Sequence, residues 1–113
     1  MITTKTFREL ALSLPATTEL PHFEKTSFRA NKKIFATLDE KRSLACLMLT
    51  ENDQYAFSAF DKTIIYPVPN KWGLKGATYV ELNKVSKKMV KDMLKSAYGK
   101  IVEKKASSNK KSK

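Results

Sequence analysis

The sequence predicts a two-layer α+β domain: one five-stranded antiparallel sheet with helices on one face, in the order αβββαββα. Three observations predict it. Apolar residues recur at helical spacing near both ends of the chain. Between them, short runs of strand formers are separated by turns of a few residues, too short for the crossovers a parallel sheet requires. The chain of 113 residues is the size of one domain, and a domain of that size buries about two-thirds of its unfolded surface, enough for one core without staples.

Each element has its own signal. Phe7, Leu10, Ala11 and Leu14 fall at i, i+3, i+4 and i+7, one face of a helix over 4–14; Thr3 or Thr4 caps its start and Pro15 stops it. His22 to Arg29 reads as a strand through Phe23, Thr26 and Phe28. Asn31-Lys32-Lys33 is a hairpin turn before Ile34-Phe35-Ala36-Thr37-Leu38, which is rich in strand formers. A charged turn, Asp39-Glu40-Lys41-Arg42, leads to the continuous apolar run of Ser43 to Leu49, a strand buried on both faces or central in the sheet. Thr50 with Asp53 opens a short helix through Phe60 as a capping-box variant. Ile64 to Pro69 is a strand whose two prolines demote its end to an edge or exit, Asn70 to Gly76 a loop, and Ala77 to Leu82 the last strand.

Ser86 caps the final helix. Met89, Val90, Met93, Leu94, Ala97, Tyr98, Ile101 and Val102 fill one arc of it. Lys84, Lys88, Lys91 and Lys95 fall within about 60° of each other on the other side. Lys104 and Lys105 would land on the apolar arc, so the domain is expected to span 1–103 and to carry a disordered basic tail over 104–113. The expected core is Leu10, Phe28, Phe35, Leu47, Tyr79, Met93 and Leu94.

Charge divides the chain unevenly. Residues 1–83 carry a net +2 and residues 84–113 a net +9, eleven lysines against Asp92 and Glu103. A near-neutral body with a basic end reads either as a handle for a polyanion or as a solvated, solubilising end. One cysteine permits no internal disulfide, and one histidine beside it is too few for a structural zinc site. There is no GxGxxG, P-loop or HExxH pattern. Cys46 lies in the apolar run, where it reads as a small buried hydrophobe, and His22 reads as a surface or half-buried residue. No enzyme, cofactor or metal is expected. Met1-Ile2-Thr3-Thr4 lacks a basic segment and an apolar stretch, and no apolar run approaches the ~18 residues of a membrane span. The expectation is a cytoplasmic protein without a membrane segment.

Three basic places are candidates for binding nucleic acid: Lys32 and Lys33 with Lys41 and Arg42 on the next turn; Lys71, Trp72 and Lys75 on the loop; and the stripe Lys84, Lys88, Lys91 and Lys95. The stripe is long enough to meet two or more phosphates, and it is equally the ordinary solvent face of an amphipathic helix. Trp72 stacks on a base, packs on a groove or lids the edge of the core. Nineteen lysines against three arginines argue against base-specific reading, which favours Arg forks.

Leu12-Ser13-Leu14-Pro15-Ala16-Thr17-Thr18-Glu19 resembles the LSLPG-x-x-E start of the MmcQ/YjbR-like proteins. Phe28 with Lys33-Ile34-Phe35-Ala36 is similar to their F…K-x-F-A strand pair, Tyr66 to Gly73 to the Trp-bearing loop of one branch, and Ala97-Tyr98 to the small-Tyr pair of the last helix. The resemblance runs over roughly 5–102. It implies a secretion-chaperone-like α+β fold and DNA binding through a double-wing motif. Many members carry a histidine before the tryptophan where this chain has Lys71, so a role tied to that histidine does not carry over. Two functions are expected: non-enzymatic, sequence-tolerant binding of DNA, or an adaptor or chaperone-like module that meets an acidic protein partner.

Overall fold

The structure, a computed structural model, describes the backbone of residues 1–111 and the side chains of residues 1–102. The described residues form four helices and six strands: α1 (Thr4–Leu12), β1 (Thr18–His22), β2 (Lys25–Ala30), β3 (Lys33–Asp39), β4 (Leu44–Met48), α2 (Glu51–Phe60), β5 (Ile65–Pro67), α3 (Lys71–Leu74), β6 (Ala77–Glu81) and α4 (Lys87–Lys111). The basic tail expected over 104–113 lies outside the residues whose side chains are described.

All six strands join one open sheet in the order β1-β2-β3-β4-β6-β5, and every neighbouring pair is antiparallel. The α+β class and antiparallel pairing are as the sequence predicts, but the strand count is six, not five. The additional strand is β1, whose Thr-Glu-Leu-Pro-His has no apolar alternation and contains a proline. Pro21 is tolerated because β1 is an edge strand, where one side of the backbone has no ladder to join. Arg8 fastens β1 to α1, donating to both carboxylate oxygens of Glu19 at 3.0 Å. The strand expected from His22 to Arg29 is thus divided: His22 ends β1, Phe23 and Glu24 make the turn, and β2 follows.

The expected caps are in place. Thr3, Thr50 and Ser86 accept from the backbone N–H groups of Thr6, Asp53 and Met89. α1 ends at Leu12 rather than Leu14; the N–H groups of Ser13 and Leu14 bend back to the carbonyls of Leu10 and Ala11, tightening the last turn before Pro15. Asn31 and Lys32 both have positive φ, 53° and 66°, the pattern of a two-residue type I′ turn whose twist suits a hairpin.

Helices α1 and α4 cover one face of the sheet. Phe7 meets Phe28 edge-on at 5.8 Å, and Phe35 meets Tyr98 at 5.9 Å. A bulge between Phe28 and Arg29 shifts the β2–β3 register, so that consecutive Phe35 and Ala36 are both fully buried in the core. Val90, Met93, Leu94 and Ala97 complete it from α4. β4 is central, as its apolar run implies, with Ala45 and Leu47 on the core side. Its other side, Leu44, Cys46 and Met48, is only half-buried. Tyr79, expected in the core, pairs with Cys46 and shares that second face; the core positions of β6 are instead Thr78 and Val80.

Candidate nucleic-acid interface

The lysine stripe is carried by the outer face of α4. With Val90, Met93, Leu94 and Ala97 buried, Lys88, Lys91 and Lys95 are left exposed on the opposite side. Lys88 to Lys95 covers about 10 Å of helix axis. Among the described residues the ion pairs are Arg8–Glu19 and Arg42–Asp39, so Lys84, Lys88, Lys91 and Lys95 have no carboxylate within salt-bridge distance. Asp92 sits at the edge of the stripe and does not neutralise it by direct contact.

Lys84 lies in the link between β6 and α4. The same link is tied to the β3–β4 turn, because Leu82 N–H donates to the carbonyl of Ser43 at 3.0 Å. Lys41 and Arg42, on that turn and exposed, therefore lie at the end of the sheet where α4 begins. Arg42 is partly engaged by Asp39 at 3.8 Å.

Lys32 and Lys33 sit at the opposite end of the sheet, on the β2–β3 turn, as do Lys71, Trp72 and Lys75. The eleven predicted residues are therefore not gathered on one surface. The segment expected as a loop contains the single helical turn α3, too short to show a helical period in sequence. Asn70 caps it by accepting from Trp72 N–H at 2.8 Å. Gly73 lets it close, since a Cβ there would stand 1.8 Å from the Val68 carbonyl oxygen. Trp72 is 60% exposed, which removes the reading of it as a lid on the core. Lys75 places its ammonium 5.7 Å from the centre of the Trp72 ring, within cation–π range.

The face of the sheet without α1 and α4 holds a feature that the sequence does not announce, an open depression of about 520 Å³. Ile34, Cys46, Met48 and Tyr79 form its floor, His22 and Lys25 one end, and Asn70 and Trp72 the other. The signal for it is the second face of β4, whose alternation is masked by the apolar Leu44, Cys46 and Met48. Burial pushes the Cys46 thiol up, against smaller opposing pulls from the Thr78 backbone and Lys25. On the same face, Tyr66 stacks edge-on against Tyr79 at 5.8 Å and donates its hydroxyl to Glu81. Burial first, and then the Glu81 carboxylate, hold the Tyr66 phenol at about 12.

Among the described residues no group of three or more His, Cys, Asp or Glu is placed to hold a metal ion, and no helix is long and apolar enough to cross a membrane. The fold and its basic helix define a small α+β module. The YjbR family model matches residues 12–100, and the chain belongs to that family. The structure is similar to the crystal structure of Deinococcus radiodurans protein DR2400, a DUF419 domain, with a TM-score of 0.74 at 18% identity, over 87% of this chain and 77% of that one. No curated protein matches the sequence.

Proposed function

We propose that the chain is a non-enzymatic protein that binds duplex DNA through phosphate contacts, largely without regard to sequence. The observation that carries this reading is the exposed face of α4, where Lys88, Lys91 and Lys95 stand on one side with no carboxylate among the described residues paired to them. Lys84, Lys41 and Arg42 extend that surface from the N-terminal end of the helix. The predominance of lysine supports positioning on phosphates over base reading, because an ammonium is a point charge and lacks the planar fork of Arg. Lys32, Lys33, Lys71 and Lys75, at the other end of the sheet, are not part of this interface.

The test is a titration of a labelled random duplex followed by fluorescence anisotropy. Three phosphate contacts alone predict that affinity falls about 40-fold between ~50 and ~200 mM salt. Binding that ignores salt, or binding of an acidic polypeptide in place of duplex at matched salt, would contradict the reading and favour an adaptor with an acidic partner.

A further inference from the structure

The depression on the open sheet face is independent of the α4 surface, which lies on the helical side. Its volume, about 520 Å³, is in the range of sites for small molecules, ~300–1,000 Å³. Its floor is apolar, and among the described residues none that lines it is a carboxylate. Lys25 is the formally charged wall residue among those described. Register places Lys25 directly opposite His22 across the β1–β2 pair, so the two side chains leave the same face as neighbours. The turn joining them is strained: Phe23 adopts φ 60° and is 94% exposed, an uncommon state for a bulky side chain. Strand pairing sets His22 opposite Lys25, and the Phe23 ring packs edge-on against the His22 imidazole at 5.0 Å. At the far end, the Asn70 cap and the close approach of Gly73 to Val68 fix Trp72.

We propose that this depression binds an amphipathic organic anion, with its acidic group at Lys25 and His22 and its apolar body on Ile34, Cys46, Met48 and Tyr79 beside Trp72. An ammonium and an imidazole N–H both donate to a carboxylate or sulfonate, and Lys has no acceptor that would select a cation. The floor takes up the apolar body by the same burial that drives ordinary packing.

The chain holds a single tryptophan and a single cysteine, and both line this depression, so occupancy has two internal reporters. Titration with anilinonaphthalenesulfonate, an aromatic sulfonate, is expected to saturate, to draw energy from Trp72 and to slow alkylation of Cys46. Lys25→Gln, at an exposed position, is expected to weaken the dye about tenfold through loss of a charge-assisted hydrogen bond. It should leave binding of phenylnaphthylamine, the same aromatic body without the sulfonate, unchanged. The combined Lys88→Gln, Lys91→Gln and Lys95→Gln variant should bind both dyes like the parent, which separates this site from the proposed DNA surface. Undiminished dye affinity in Lys25→Gln, or a Cys46 alkylation rate indifferent to the dye, would overturn the proposal. Displacement of the dye by oligothymidylate from the triple variant would overturn it in favour of single-stranded nucleic acid at this face.

Discussion

Substituting Gly76 by Ala probes the joint that holds the end of β4 against the start of β6. Gly76 has φ +109°, and a Cβ built on it would lie 1.8 Å from the Leu49 carbonyl oxygen and 2.9 Å from the Leu49 carbonyl carbon. Reaching ordinary van der Waals separation requires the two backbones to part by about 1.5 Å. The Gly76 carbonyl sits at that joint, accepting from Leu49 N–H at 3.0 Å and from the buried Thr78 hydroxyl at 2.8 Å. A side chain held in a left-handed conformation costs ~1–3 kcal/mol, and a buried polar group left unpaired costs another ~1–3 kcal/mol. The expected total is roughly 2–6 kcal/mol, reaching the large values for a single substitution. A domain of this size has about 5–15 kcal/mol in all, so the thermal midpoint should fall by roughly 10–20 °C. Urea denaturation followed by Trp72 emission and by circular dichroism checks this, with the midpoint moving and the slope unchanged. A loss below about 1 kcal/mol would mean instead that the joint opens at little cost.

Other outcomes follow from the same structure. Phe23→Gly should raise stability by about 1 kcal/mol, since Gly adopts positive φ freely and Phe23 contributes almost no burial; a lower urea midpoint would contradict it. Gln54→Ala should cost roughly 1–3 kcal/mol, because the Gln54 amide donates to the carbonyls of Gly73 at 2.8 Å and Ala77 at 3.1 Å and so ties α2 to α3 and β6. Tyr66 is held at about 12, above an ordinary phenol near ~10. The folded state then holds its proton more tightly than the unfolded state, so this contribution is intact below pH ~10 and is lost as pH rises toward 12. Ultraviolet titration should show one tyrosine ionising late, and Tyr66→Phe should abolish that step.

Where local chemistry decides a feature, the sequence is legible. The caps Thr3, Thr50 and Ser86, the Asn31-Lys32 turn and the two-sided character of the last helix all follow from residue type and spacing. The prolines in Ile64–Pro69 correctly place β5 at an edge. β1 is not legible, because its position is set by pairing with β2 and by Arg8 gripping Glu19 from another element. α3 depends on Gly73 fitting against the Val68 backbone, an approach that exists only once the chain has folded. The candidate residues can be picked out by charge, but their division between two ends of the sheet and one helix face needs strand order. The depression needs more still. Only the register that sets Cys46 beside Thr37 and Tyr79 shows that one face of the apolar run is left uncovered.

The proposed DNA surface depends on Lys88, Lys91 and Lys95 of α4 meeting phosphates. Comparing the salt dependence of duplex affinity in the parent and in the combined Lys88→Gln, Lys91→Gln and Lys95→Gln variant tests it most directly. Helix propensity is nearly level between Lys and Gln, so circular dichroism and thermal midpoint should be unchanged. The slope of log affinity against log salt should flatten by about 2.7, ~0.9 for each phosphate that is no longer neutralised. An unchanged slope in the folded variant would rule out phosphate contacts by these lysines and leave the stripe as solvated surface.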